Sequence, residues 1–298
     1  MRKESVGYLL VIASGVIYGL MPLMSRLVSA DGVSSLSITA FRAWAAMAVL
    51  SPAWLSPGRG RVKITLRQLP WVVCAAVLGY ILTPLLLIDS YAYIDTGMAT
   101  TLHYVYPALV LTGCAVFFRQ RVSAKQWLCI ALCLFGTAMF YAPSGAGFSV
   151  RGMLIAIGSG VAYAAYILLL SAKPLREMSL LSQLIGFSFA AGLIFAVLAL
   201  VSGDFTVPTN PKTWALFLLL IFTTGVAANA LFQAGVKLVD SKKASILGTT
   251  EPLTSILVGA AVFNEALTLR SILGCLSILA GVTLLTLTRE KEKPDAAA

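Results

Sequence analysis

Three ionisable side chains stand deep in apolar sequence, Arg42, His103 and Glu251, and each suggests its own chemistry. Glu251 directly precedes Pro252, and Tyr106 directly precedes Pro107. Proline removes a backbone donor and frees a carbonyl one turn earlier, so both pairs mark a helix break beside a polar side chain. Glu251 could bind a cationic group when ionised or carry a proton when neutral. It could equally be hydrogen-bonded to the backbone of a broken neighbour. His103, the single histidine, suits a proton relay because imidazole titrates near neutrality. The alternative is a core histidine donating to a threonine or a carbonyl. Arg42 could clamp a carboxylate or phosphate through two parallel bonds, neutralise Glu251, or cap backbone carbonyls.

Other polar groups accompany them. His103 and Tyr106 lie three apart and share a helix face. Asn229 and Gln233 lie four apart and stack on another, either lining a cavity or bonding a neighbouring helix. Tyr18 and Tyr163 are candidates for shaping a pocket, and Trp44 sits close to Arg42. Aromatic faces around a carboxylate can hold a quaternary ammonium. Tyr91, Tyr93 and Tyr141 instead fit the membrane-interface role of tyrosine. Arg26 and Asp89 are expected to form an ion pair at a cavity rim. No cofactor is expected: the chain has no nucleotide-binding loop, dinucleotide fingerprint or zinc motif. No metal site is expected either, and no enzymatic activity, since nucleophile, acid pair and ligand cluster are all missing from the pattern. The five cysteines all fall in apolar stretches and read as small packing residues.

The elements that must position these groups repeat. Residue n resembles residue n+145: Ser14-Gly15-Val16-x-Tyr18 returns as Ser159-Gly160-Val161-x-Tyr163. Gly7, Asp95, Ala99, Pro107, Phe118, Leu134 and Gly136 return as Gly152, Asp240, Ala244, Pro252, Phe263, Leu279 and Gly281. A constant offset over both halves is the mark of a tandem duplication, with halves 1–145 and 146–298 forming one transmembrane domain.

Apolar residues make up 59% of the chain and charged residues 11%, far below the roughly 25% of soluble domains. Mean hydropathy is +0.90. The apolar segments run over about 6–28, 34–54, 69–90, 95–118, 123–141, 152–172, 179–201, 212–235, 243–263 and 267–288. Each approaches the ~20 residues a helix needs to cross the hydrocarbon core. Five segments per half is an odd number, so the second half must enter the membrane upside down. We therefore expect an all-α integral membrane protein of ten transmembrane helices arranged as two inverted five-helix repeats. Such a repeat places a substrate site near mid-membrane, where helices are broken, and lets one half rock against the other. Gly15-x3-Gly19 and Gly160-x3-Ala164 permit close helix approach.

Of 22 Lys and Arg residues, 17 fall on one side of this arrangement. Three, Arg151, Lys212 and Arg270, fall on the other, and Arg26 and Arg42 lie within spans. Short basic loops stay in the cytoplasm, so both termini are expected there. The net charge of +10 follows from this bias and suits anionic lipid headgroups. It is spread over loops and tails, which argues against nucleic acid as a partner. The basic start and Val28-Ser29-Ala30 mimic a signal peptide, but the apolar stretch is too long and has an internal copy at 152–172.

Two halves of five segments, Glu251-Pro252-Leu253-Thr254, then Phe263-Asn264-Glu265-Ala266-Leu267-Thr268 and Gly274…Leu279-Ala280-Gly281-Val282, resemble the EamA-type branch of the drug/metabolite transporter superfamily. The resemblance covers essentially the whole chain. It implies a bacterial-type inner-membrane carrier, often an exporter of amino acids or other small metabolites. The first half departs from it: Phe118-Arg119-Gln120-Arg121 stands where the family has a Gly-Glu-Pro-like turn. The resemblance carries no substrate. The expected partners are a small-molecule solute, a proton or exchanged solute, and membrane lipid, with the oligomeric state open and a monomer sufficient. Within the same class, cationic or aromatic compounds, drugs included, are an alternative cargo. A non-transporting scaffold or lipid-handling protein is the alternative from another class.

Overall fold

The computed structural model describes residues 2–55, 64–94, 96–139, 149–203, 205–254, 257 and 268–287. The described elements are helical. In the first half they are α1 (Arg2–Gly19), α2 (Met21–Ser29), α3 (Ser35–Leu55), α4 (Leu69–Ala75), α5 (Thr83–Ser90), α6 (Thr96–His103), α7 (Tyr106–Phe117) and α8 (Ala124–Met139). In the second they are α9 (Val150–Ser171), α10 (Lys173–Arg176), α11 (Leu180–Ser202), α12 (Pro211–Phe222), α13 (Ala228–Leu238), α14 (Ser241–Leu247), a turn at 250–254, and α15 (Leu269–Leu287).

Among the described residues, five continuous helical stretches are long and apolar enough to cross a membrane: Lys3–Ser29, Leu69–Ser90, Val150–Ser171, Leu180–Ser202 and Pro211–Leu238. Tyr106–Phe117, Ala124–Met139 and Ile272–Leu284 are shorter apolar helices. The expected fourth segment is not one helix, because Pro107 breaks it at Tyr104-Val105. The ninth breaks likewise at Gly248-Thr249, before Pro252. The Phe263-to-Leu267 part of the family-like turn lies outside the described residues, as do Asp95 and Tyr141.

Two stretches wind more loosely than an α-helix. A π-helical segment, Ala76–Leu82, joins α4 to α5, and a second, Thr223–Ala227, joins α12 to α13. The offset of 145 carries residues 78–82 onto 223–227, so the loose windings occupy matching places. Such bulges are rare and gather at functional sites.

The offset also governs the packing. Ser14 donates to the Ala228 carbonyl at 2.9 Å, and Ser159 donates to the Thr83 carbonyl at 2.8 Å. Serine maps onto serine and carbonyl onto carbonyl. Gly136 of α8 lies against Gly274 and Ile278 of α15, while Gly281 of α15 lies against Cys129 and Cys133 of α8. These contacts are exchanged between the halves, as in a self-complementary, two-fold-like association.

Polar contacts tie the loops at the ends. Lys243 Nζ pairs with Glu4 at 2.7 Å, Lys242 Nζ donates to the Arg121 carbonyl at 3.3 Å, and Lys237 Nζ donates to the Met178 carbonyl at 2.5 Å. The N-terminus and the loops near residues 121, 178 and 240 therefore meet at one end. Elsewhere, Asp31 accepts from the Thr209 and Asn210 amides, and Arg151 stacks over Tyr93 at 4.8 Å.

Candidate functional site

The site begins with the two helix breaks. Pro252 cannot donate to the Gly248 carbonyl, which accepts instead from the Glu251 amide at 3.1 Å. A neighbouring helix closes over each break at a glycine. A Cβ on Gly19 would come within 2.5 Å of the Glu251 carbonyl, and one on Gly15 would collide with the Thr250 hydroxyl. Gly160 sits as tightly on the His103 carbonyl, the group that Pro107 leaves free. The first helix of each half thus packs on the broken helix of the other. The glycine spacing fulfils its expected packing role.

Glu251 is partly buried. Its carboxyl stands within electrostatic range of Arg42, Tyr18, Tyr91, Tyr104, Tyr106 and Tyr163. No ion pair joins it to Arg42 among the described residues, where the recorded pair is Lys243–Glu4.

His103 is buried, and its Nδ1 lies 2.9 Å from the Ser159 hydroxyl. That hydroxyl has one proton and gives it to the Thr83 carbonyl, so it accepts from His103, whose Nδ1 must carry hydrogen. In the neutral ring Nε2 is then the acceptor. The ring packs 5.4 Å from Tyr106, 5.6 Å from Tyr163 and 5.8 Å from Tyr104. From there the aromatic contacts continue: Tyr106 to Tyr163 at 4.8 Å, Tyr163 to Tyr166 at 6.0 Å, and Tyr166 to Tyr80 at 6.3 Å. The Tyr106 hydroxyl reaches Gly248, the repeat mate of His103.

The run of rings ends at a narrow cleft lined by Arg42, Ala43, Gly79, Tyr80, Gly225 and Asn229. Its free space suits about one water molecule. Asn229 donates to the Thr224 carbonyl at 3.2 Å and the Gly225 carbonyl at 3.0 Å, pinning the second π-helical segment. Its own oxygen accepts from Tyr18 at 2.8 Å. Gln233 donates to the Tyr80 hydroxyl at 2.6 Å. Arg42 reaches the Thr224 carbonyl through Nη2 at 3.4 Å.

Two buried donors on this path, Arg42 Nε and Nη1, have no hydrogen-bond partner among the described residues. Buried polar atoms are normally paired, so each of these is a place for water or a solute. The Tyr104 hydroxyl faces the Glu251 carboxyl, and the Tyr166 hydroxyl faces Gln233.

Glu251, His103, Tyr106, Tyr163, Tyr18, Asn229, Gln233 and Arg42 thus belong to one connected region. The cleft itself is lined from that set by Arg42 and Asn229 alone. Trp44 stands apart: its indole donates to the Gly192 carbonyl at 3.0 Å and stacks on Phe205 at 5.4 Å, locking α3 to α11. The expected Arg26–Asp89 ion pair is absent among the described residues, because Arg26 is exposed while Asp89 is partly buried. Tyr91 departs from the interface role, since its hydroxyl is buried and within reach of Glu251. Ser159, the histidine's partner, is signalled in the sequence only by its repeat with Ser14. Thr224 and Gly225 carry no such signal, because π-helical winding has no simple residue signature.

The comparisons with known proteins agree with this architecture. The model of the EamA-like transporter family matches twice, over residues 5–142 and 150–287. The chain belongs to the EamA-like transporter family. An uncharacterized transporter of Archaeoglobus fulgidus is 29% identical over 95% of this chain and 97% of its own length. Another, from Synechocystis sp., is 30% identical over 70% of this chain, a match that spans 64% of the relative. The uncharacterized inner membrane transporter YicL of Salmonella typhimurium is 27% identical over 65% of each chain. One crystal structure superposes with a TM-score of 0.78 at 20% identity, covering 95% of this chain and 97% of the other, a likeness of fold. The protein is a multi-pass membrane protein of a transporter family.

Proposed function

We propose that the protein is a secondary active carrier of a small polar metabolite, such as an amino acid, exported across a bacterial-type inner membrane by alternating access. The observation that carries this reading is the track of buried polar side chains that leads from Tyr104 and Tyr166 to the unpartnered donors of Arg42. It runs between two helix breaks and two π-helical segments at matching places in the repeat. Discontinuous helices at a repeat interface are where such carriers bind cargo. Ten spans in two inverted repeats, halves at 1–145 and 146–298, and cytoplasmic termini complete the proposal. The exchanged contacts and the gathering of basic loops at one end support it. Glu251 and His103 handle a proton or the charge of the solute, Arg42 meets an anionic group, and Tyr18, Tyr106 and Tyr163 shape the pocket.

The tyrosine and histidine rings around Glu251 favour one second reading, export of cationic or aromatic compounds, through cation–π attraction. Flux in proteoliposomes, with a panel of amino acids, amines and nucleobases, tests both. Amino-acid flux that falls with loss of Arg42 supports the first. Amine flux indifferent to Arg42 supports the second. The absence of any solute flux would favour a scaffold or lipid-handling protein.

A further inference from the structure

The guanidinium of Arg42 is nine-tenths buried at 7% exposure, yet only Nη2 has a partner, a carbonyl 3.4 Å away. Nε and Nη1, the donors on either side of Nη2 in the guanidinium fork, have none. They belong to a residue lining the cleft with Tyr80 and Asn229. Gly225 holds the π-helical segment against the Arg42 backbone: a Cβ there would stand 2.7 Å from the Arg42 carbonyl. The root of the side chain is therefore held against that segment. A buried cation without a paired anion is costly, and arginine does not shed its proton. Glu251 lies within electrostatic range but forms no ion pair with it, and the other polar groups facing it, Tyr18 and Tyr80, are neutral phenols.

We propose that the guanidinium of Arg42, through its unpartnered donors, is an anion subsite that takes the carboxylate of the cargo, so that the transported solute carries a carboxylate. This rests on the carrier reading above and narrows its substrate class. Nη2 carries two hydrogens and the Thr224 carbonyl takes one, so the other stands parallel to a free Nε–H or Nη1–H, a pair that matches the two oxygens of a carboxylate. The matched π-helical segments flank the site, and a change of winding in either would widen the cleft to admit a solute larger than water. Asn229, held by the Thr224 and Gly225 carbonyls, keeps its amide hydrogens out of the cleft. The arginine edge is then left to select for charge.

The test uses the full chain, purified in detergent, and follows its thermal midpoint with titrated probes. Alanine, threonine, phenylalanine and lysine are each compared with their amides, acetate with acetamide, and chloride serves as the inorganic anion. We expect at least one acid to bind about tenfold more tightly than its amide, the worth of a charged hydrogen bond. Arg42→Gln should erase that preference, and Arg42→Lys should keep only part of it, lacking the planar fork. Should Arg42→Gln fail to fold, Asn229→Asp supplies a fixed carboxylate beside the edge and should likewise abolish the preference. Equal binding of acids and amides would overturn the subsite, as would a preference that survives in both variants. Stabilisation by chloride as strong as by any carboxylate would also overturn it, since the edge would then hold only an inorganic ion. Flux keeps the two claims distinct. An acid preference without flux sinks the carrier reading alone, whereas amine flux untouched by Arg42→Gln sinks the subsite alone.

Discussion

Ser159 donates its hydroxyl to the carbonyl of Thr83 at 2.8 Å, immediately beyond the first π-helical segment. Its mate Ser14 does the same for Ala228, beyond the second. The two bonds differ in one respect. Ser159 also accepts from His103, whereas the residue matching His103 is Gly248. One half of the duplicated scaffold carries a titratable group at the break, whereas in the other a glycine stands there and a Cβ on it would collide with the Tyr106 hydroxyl.

Ser159→Ala should therefore cost more stability than Ser14→Ala. Both variants remove one donor to a buried carbonyl, worth about 1 kcal/mol, but the first also strands the Nδ1 hydrogen of His103, adding about 1–3 kcal/mol. Thermal unfolding in detergent measures the difference. Equal midpoints would mean that His103 has another acceptor.

The end of α7 stores strain. Arg119 adopts φ +51°, and the Gln120 amide reaches back to the Cys114 carbonyl at 3.1 Å, a closure one residue wider than a Schellman motif around the same kind of left-handed residue. Glycine takes that conformation freely, whereas an L side chain pays roughly 1 kcal/mol. Arg119→Gly should raise the thermal midpoint by an amount equivalent to about 0.5–1 kcal/mol. Arg119→Ala, still strained, should leave it nearly unchanged.

Much of this was legible because the duplication writes each feature twice. Tyr106-Pro107 and Glu251-Pro252 announce breaks that the structure places at Tyr104-Val105 and Gly248-Thr249. Gly15 and Gly160 announce the helices that close over them. What stayed hidden depends on side-chain direction and local winding. Trp44, two residues from Arg42, lies some 200° round a helix at ~3.6 residues per turn, and so faces α11 rather than the cleft. The π-helical segments shift the register of Tyr80 and Asn229 relative to an ideal helix, which no 3.6-residue pattern can foretell.

Asp31 gives a pH prediction outside the spans. Amide hydrogen bonds from Asn210 and then Thr209 favour its ionised form and hold the carboxyl below its usual range. A depressed folded value contributes stability above the unfolded value and loses it as pH falls through the folded one. The protection of the Thr209 and Asn210 amides against hydrogen exchange, relative to their intrinsic rates at each pH, should thus stay high at neutral pH and fall only in strongly acid buffer. In Asp31→Asn that acid step should vanish. A loosening near neutral pH would contradict this assignment.

Orientation can be read with reporter fusions. The basic loops that meet at one end of the fold, tied by Lys237, Lys242 and Lys243, should all face the cytoplasm. Fusions after Gly60, Val122 and Asp240 should report cytoplasmic, and fusions near Asp31, Tyr93 and Gly147 external. A consistent reversal would reject the orientation while leaving the fold intact.

Glu251 carries the sharpest functional test. It precedes Pro252 as Tyr106 precedes Pro107, and its carboxyl lies in range of four tyrosines gathered around the two breaks, Tyr18, Tyr104, Tyr106 and Tyr163. Removing a carboxyl there tests charge only if shape is preserved. Glu251→Gln preserves volume and hydrogen-bonding reach and leaves the break to Pro252, so the variant should fold, with a thermal midpoint close to that of the parent. Its transport in proteoliposomes should be abolished, or should lose its dependence on pH, because an amide neither releases a proton nor bears the charge that meets a cation. Glu251→Asp, which keeps the charge but shortens the reach, should retain a reduced, pH-dependent flux. Undiminished flux with an unchanged pH profile in Glu251→Gln would reduce Glu251 to a structural partner of the helix break, and the proton or charge role would then pass to His103.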